Sequence, residues 1–116
     1  MADLSFRNNP SPMRYEALDD ATVAGKAYWV DAGEDPQLER IFFHTEVDDA
    51  YAGRGVASQL VRFAVDDAIE HGLRIVPACP YVKKWLGEHA EGYEQHTAAI
   101  QPRHLQAVQA RQPRSD

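Results

Sequence analysis

Phe42-Phe43-His44-Thr45-Glu46-Val47, then Asp48-Asp49-Ala50-Tyr51-Ala52-Gly53-Arg54-Gly55-Val56-Ala57, is the stretch on which the fold turns. Its first part is aromatic and β-branched, which suits a strand. Residues 48–55 then form a loop ending in two glycines. After the loop the period changes. Ala57, Leu60, Val61, Ala64 and Ala68 recur at helical spacing, while Gln59, Arg62, Asp66 and Glu70 take the opposite face. The pattern predicts strand, glycine loop and helix, with the helix over residues 56–71. Gly72 stands where a left-handed residue commonly ends a helix.

Downstream, Leu73-Arg74-Ile75-Val76-Pro77-Ala78-Cys79 reads as a short apolar strand. A helix joins it to the strand over residues 38–47, so the two should lie parallel through a right-handed crossover. Pro80 stops the strand, and residues 81–89 suit a short helix with Val82, Trp85, Leu86 and His89 on one side. Upstream, residues 14–18 alternate polar and apolar, and residues 22–30 are rich in β-branched and aromatic types. Asp19-Asp20 makes the turn of a hairpin between them. Residues 31–36 read as a loop, as do residues 1–12, which carry Asn8-Asn9-Pro10-Ser11-Pro12. The fold expected is α/β with a mixed sheet: antiparallel N-terminal strands, a βαβ unit and a short C-terminal helix. Residues 1–96 make the domain. Residues 97–116, where Pro102 and Pro113 bound any helix, make a marginal helix or mobile tail.

Composition narrows the classes. The 116 residues and 13.0 kDa fit one domain, with no cleft between domains. Twelve basic against 18 acidic residues give a net charge of −6 and a pI near 5.3. That balance argues against non-specific binding of nucleic acid or an anionic membrane. The single cysteine, Cys79, excludes an internal disulfide framework and a multi-cysteine zinc site. No apolar run approaches the ~20 residues of a membrane helix. Met1-Ala2-Asp3-Leu4-Ser5-Phe6-Arg7 shows no signal pattern, so a cytoplasmic protein is expected.

The chemistry sits at the glycine loop. Amides at a helix N-terminus are unpaired, and the helix dipole adds partial positive charge there. Glycines let the main chain approach an anion closely. Residues 53–57 therefore suit a phosphate cradle, to which Arg54 adds a formal charge. The plainer alternative is a tight turn before a helix. A Walker-type site is excluded, since no Gly-x-x-x-x-Gly-Lys-Ser/Thr occurs. A dinucleotide fingerprint is excluded by Ser58 at its third glycine position.

At this point the chain resembles the GCN5-related N-acetyltransferase superfamily. That family's coenzyme A loop reads Gln/Arg-x-x-Gly-x-Gly/Ala between a central strand and a helix. Gly55-Val56-Ala57 fill its last positions, and Ala52 stands where the family has Gln/Arg. The likeness is closer to a compact YjdJ-type acetyltransferase-like branch. It is carried by His44-Thr45-Glu46-Val47, by Gly53-Arg54-Gly55-Val56-Ala57, by Leu60-Val61 and by the run from Gly72 through Pro77-Ala78-Cys79-Pro80-Tyr81 to Val82. It covers roughly residues 6–93 and departs at His89-Ala90-Glu91-Gly92-Tyr93. The resemblance implies an acetyl-coenzyme A site. The pyrophosphate would lie on the amides of Gly53, Arg54, Gly55, Val56, Ala57 and Ser58. The pantetheine would run beside Thr45, Glu46 and Val47 like an added strand, where the two parallel strands splay. Main-chain groups near Glu46 and Val47 would polarise the thioester carbonyl.

Acetyl transfer needs a neutral amine, so a base near neutral pH helps. Glu46 and His44 lie two apart on a strand and share a side. The plainer alternative leaves Glu46 solvated and His44 bonded in the sheet. Cys79 would lie near the thioester as a nucleophile or, as is commoner for a lone cysteine, as a small buried hydrophobe. Tyr81 is a candidate proton donor to the thiolate, or a packing aromatic. Lys84, with Lys83, could meet the adenosine phosphates or lie on a wet helix face. His89, His96 and His104 are spaced too widely, across Pro102, for a metal site, and no metal is expected. The function expected is N-acetyl transfer to an amine on a small molecule, protein or peptide. The alternatives are a non-catalytic coenzyme A or acyl-coenzyme A binding module, or an interaction domain that keeps the fold. No nucleic-acid or membrane partner is expected. Trp29, Tyr28 and Phe42 could supply a homodimer interface. Usual members of the superfamily run to ~150 residues, within the ordinary single-domain range, so this chain is shorter than most. They carry one or two helices where Leu18 and Thr22 are joined here by a turn, which predicts an open acceptor side.

Overall fold

The computed structural model describes residues 4–11, 13–34 and 37–111. One sheet runs in chain order through β1 (Ser5–Asn9), β2 (Arg14–Asp19), β3 (Thr22–Glu34), β4 (Gln37–Val47) and β5 (Arg74–Pro77). The first four strands pair antiparallel, and β4 pairs β5 in parallel. The helices are α1 (Val56–Glu70), α2 (Pro80–Glu88) and α3 (Pro102–Arg111). The mixed α/β sheet with a crossover helix is the one that the period change after Val47 predicts.

The core lies between one sheet face and α1 with α2. Tyr15, Ala27, Trp29, Phe42 and Ile75 meet Leu60, Val61, Val65, Val82 and Trp85. The buried stripe of α1 is Val56, Leu60, Val61, Ala64, Val65 and Ala68. Ala57, expected on it, is half-buried, because the stripe turns through Val56 and Val65 instead. Trp29 and Phe42 belong to this core, so they cannot form the dimer face suggested for them. Tyr28 lies on the opposite face, beneath Arg14 and beside His44.

Three other readings change. Residues 5–9, expected in a loop, form β1: Arg7 pairs across to Glu16, and Phe6 stacks on Phe63 of α1 at 5.5 Å. The turn at Asp20, with φ of 55°, is therefore the second tight turn; Met13, at 63°, stands at the first. The 31–36 loop shrinks because β3 and β4 extend toward each other, with Asp31 opposite Arg40. The last strand ends at Pro77 rather than Cys79, because the Ala78 and Cys79 amides both turn onto the Phe42 carbonyl, each at 2.9 Å.

Arg40 ties the layers together. Its guanidinium lies 3.8 Å over the Trp29 ring and donates to both Asp31 oxygens, at 2.7 and 3.0 Å. It also donates to the Tyr15 oxygen at 2.7 Å, and the Tyr15 hydroxyl donates to Asp67 of α1 at 2.7 Å. Burial, with the Asp67 bond, pushes the Tyr15 phenol far above its ordinary pKa. On the other face, buried Glu16 accepts from Arg7, Arg14 and Asn9. Burial alone would raise its pKa, but the Arg14, Arg7 and Asn9 bonds outweigh that and hold it below the usual carboxylate range. Glu39 and Ile41 alternate with Arg40 and Phe42, so they face away from α1. There α3 lies against β3 and β4. Arg103 grips Glu39 through both oxygens, at 2.8 and 3.0 Å, and buried His104 meets it at 2.9 Å. His104 also accepts the Gln101 amide, closing the first turn of α3. Thr97 bridges the outer edge of β5 at Ile75.

Arg40→Ala should destabilise the fold by about 2 kcal/mol, since it strands Tyr15 and Asp31. Urea unfolding should show a lower midpoint with an unchanged slope. Glu16, whose folded pKa is depressed, contributes stability that is full above the unfolded value of ~4.3 and fades below it as pH falls through the folded value. Glu16→Gln should therefore lower Tm at neutral pH and flatten its fall on acidification, in calorimetric scans from about pH 7 to pH 3.

Candidate active site

The loop from β4 to α1 is held from below. Asp48 caps the 3-10 turn Asp49–Tyr51 by accepting the Ala50 amide at 3.0 Å. The Tyr51 hydroxyl donates to Asp19 at 2.7 Å, and Arg54 stands over the Tyr51 ring at 5.9 Å. Gly53 and Gly55 then take left-handed φ of 78° and 74°, which a side chain would resist. Gly55 is the N-cap of α1, offers no side chain to the first-turn amides, and no acidic residue occupies that turn. The amides at 56–58 and the dipole thus meet no carboxylate from the helix itself, and Arg54 is exposed beside them.

Next to this loop the sheet opens. The β4–β5 ladder ends at Phe42 opposite Pro77, where the Ala78 and Cys79 amides both close on the Phe42 carbonyl. Beyond it, residues 43–47 of β4 stay paired to β3 but have no ladder partner on the β5 side among the described residues. The register with β3 also slips there. Tyr28 faces His44 while Trp29 faces Phe42, so Phe43 is an inserted residue that re-aims the strand. A slot lined by main chain results, between β4 and the start of α2.

The structure distributes the candidate residues around the slot. Thr45 and Cys79 meet across it, with Sγ 3.6 Å from the Thr45 hydroxyl, and Cys79 is buried. Tyr81, in the first turn of α2, is about a third exposed, and Ser58 of α1 accepts the Trp85 indole N–H at 3.0 Å. Burial pushes the Tyr81 phenol above the ordinary value, and Glu88 adds to it. His44 and Glu46 come together, 3.4 Å apart, but both are exposed and on the sheet face away from α1. Lys84 lies on the exposed side of α2 and pairs with Glu88 at 3.8 Å. His89 stacks on Trp85, whereas His104 is buried against Glu39. Among the described residues no three His, Cys, Asp or Glu cluster as metal ligands, and no helix is long and apolar enough to cross a membrane.

Two features of the slot went unread in the sequence. The inserted Phe43 breaks alternation, a signal visible in the adjacent bulky residues Ile41-Phe42-Phe43. The other is Gly25, whose place within a strand marks a close approach. A Cβ there would stand 3.3 Å from Val56, 3.4 Å from Leu60 and 3.4 Å from the Glu46 carbonyl. The missing side chain lets the start of α1 seat against β3.

A central strand that parts from its parallel neighbour beside an open glycine-preceded helix start defines the class. The chain belongs to the GCN5-related N-acetyltransferase family, whose model matches residues 14–96. Among curated proteins it is similar to protein NATD1 of Bos taurus, 41% identical over 59 residues, covering 51% of this chain and 50% of that one. It is likewise similar to NATD1 of Homo sapiens, 39% identical over 59 residues, covering 51% and 50%. The chain spans about half the length of these relatives. Two solved structures share the fold. One is a GCN5-like protein of Staphylococcus aureus, with a TM-score of 0.61 at 23% identity, covering 90% of this chain and 97% of that one. The other is a ribosomal-protein-alanine N-acetyltransferase of Brucella melitensis, with a TM-score of 0.53 at 24% identity, covering 76% and 63%.

Gly25→Ala should displace the first turn of α1 and cost about 1–2 kcal/mol, as overpacking does. Thermal unfolding reads the loss, and amide exchange at residues 56–60 should rise more than at residues 64–68.

Proposed function

We propose that this domain binds acetyl-coenzyme A in the slot and transfers its acetyl group directly to an amine. The observation that carries the reading is the uncapped start of α1 behind Gly53 and Gly55, set at the mouth of the β4–β5 divergence. Family membership supports acetyl transfer in general; the assignments to residues are ours. Acetyl-coenzyme A brings a thioester that an amine can open. The amides of residues 53–58 bind its pyrophosphate, with Arg54 neutralising charge and Lys84 available to the adenosine phosphates once released from Glu88. Thr45, Glu46 and Val47 offer main-chain groups to an extended pantetheine, as in strand addition. Near Glu46 and Val47 these groups polarise the carbonyl. Tyr81 gives a proton to the departing sulfur. Glu46, with His44, takes one from the amine, reached through water. Cys79 shapes the slot beside the thioester without forming an acyl-enzyme.

The short connections of the first three strands leave the acceptor side open, which suits a bulky or extended amine on a protein, peptide or small molecule. The glycine loop and the Pro77-Ala78-Cys79-Pro80-Tyr81 run at their separation favour the compact YjdJ-type branch and a cytoplasmic setting.

Calorimetry should detect acetyl-coenzyme A, and Arg54→Glu should weaken binding by about tenfold or more, since it places a carboxylate at the dipole. No binding at millimolar ligand refutes the site. Binding without thiol release, across peptide and polyamine acceptors, would leave a non-catalytic coenzyme A module.

A further inference from the structure

The slot has a mouth and a closed end. The mouth is at Val47, where the glycine loop and the start of α1 follow β4. The closed end is at Phe42, whose carbonyl takes the Ala78 and Cys79 amides, each at 2.9 Å, and so draws the two chains together. Side chains shut the same end on the helix side. Thr45 stands across from Ala27, a core residue, so it points toward the layer of α1 and α2. There it meets Cys79, whose Sγ lies 3.6 Å from its hydroxyl. Cys79 is buried in the core that includes Phe42 and Val82, so it cannot retreat without displacing packed neighbours. The other sheet face differs, because His44 and Glu46 are exposed there.

We propose that Thr45 and Cys79 form a stop that sets the length of acyl group the slot accepts, so that the domain selects acetyl-coenzyme A over its propionyl and butyryl counterparts. The proposal rests on the acetyl-transfer reading and adds the chain length of the donor to it. A pantetheine that enters beside the glycine loop and follows β4 from Val47 advances toward Phe42, with the acyl group leading. With the carbonyl at the main chain near Glu46 and Val47, the next residue ahead of the acyl carbons is Thr45, and Cys79 stands against its side chain. Each further methylene then has two courses. It displaces one of these side chains, at the cost that overpacking carries, or it bends out through the exposed face that the amine needs for its approach. Both disfavour the longer donor. The stop is steric: neither the thiol nor the hydroxyl forms a bond or exchanges a proton with the donor.

Titration calorimetry on the full chain compares free coenzyme A with its acetyl, propionyl and butyryl thioesters, for wild type, Thr45→Ser, Cys79→Ala and Thr45→Val. Wild type should bind the acetyl thioester about tenfold or more tighter than the butyryl, as one or two methylenes command in a tight apolar site. Thr45→Ser removes a methyl group and Cys79→Ala removes the sulfur. Each should reduce that ratio by about three- to tenfold, chiefly by tightening the butyryl thioester. Thr45→Val keeps the branched shape without the hydroxyl and should hold the ratio within about twofold of wild type. Thr45 is half-buried, so Thr45→Ser carries the test if Cys79→Ala fails to fold. A wild-type ratio near one overturns the stop. So does a ratio that neither Thr45→Ser nor Cys79→Ala moves while coenzyme A still binds; in both cases the acetyl-transfer reading stands. A shift in Thr45→Val equal to that in Thr45→Ser assigns the discrimination to the hydroxyl and overturns a steric stop equally. Failure of wild type to bind coenzyme A or any of its thioesters overturns the reading of the slot, and the stop with it.

Discussion

The Phe42 carbonyl accepts two amides at once, those of Ala78 and Cys79, and the working part of the molecule depends on that shared bond. A parallel pair needs evenly spaced donors from both strands. Past Pro77 the Ala78 amide makes the last of these bonds, and the Cys79 amide turns onto the same Phe42 carbonyl instead of advancing along β4. Pro80 then starts α2, which turns the chain away from the sheet. β4, still supported by β3, runs on to Val47. The divergence is therefore fixed by one shared carbonyl and by the proline that starts α2.

What keeps the slot in shape is the seating of α1. At one end, Gly25 removes the side chain that would hold Val56 and Leu60 off β3. Toward the other, Tyr15 reaches Asp67 and is itself held by Arg40. A helix fixed at both ends presents its first-turn amides in a constant direction, so ordering them on binding costs little. The Tyr51–Asp19 bond extends the same support to the loop, joining it to the β2–β3 turn.

The sequence made the central part of this legible because its signals are periodic or conformational. The switch to helical spacing after Val56 and the two glycines of the loop are read directly from residue type, and the left-handed φ that Gly53 and Gly55 take is one that glycine permits. β1 was hidden because five residues beside two prolines give too short an alternation, and its Arg7 finds meaning only across from buried Glu16. The β3 and β4 extensions were hidden because Asp31 and Gly33 look like loop residues until Arg40 stands opposite. The site residues were legible as a set but not in their sides. Strand alternation placed His44 with Glu46, yet the insertion at Phe43 and the identity of each covered face emerged only from the folded sheet. Ser58 reads as a loop-end amide in sequence; its link to Trp85 spans two helices.

The margins of the sheet have a consequence for self-association. β1 is five residues long and displays Arg7, while four-residue β5 is covered at Ile75 by Thr97 and at its carbonyl by the Ala98 amide. Neither margin offers a long, bare template to a second molecule. Residues 43–47 of β4 hold a further run of main chain without a ladder partner on that side among the described residues, and α2 stands against β4 there. With a helix beside that run, a single linear chain is a better match for its free donors and acceptors than the edge of a neighbouring sheet, which would bring its own covering layer against α2.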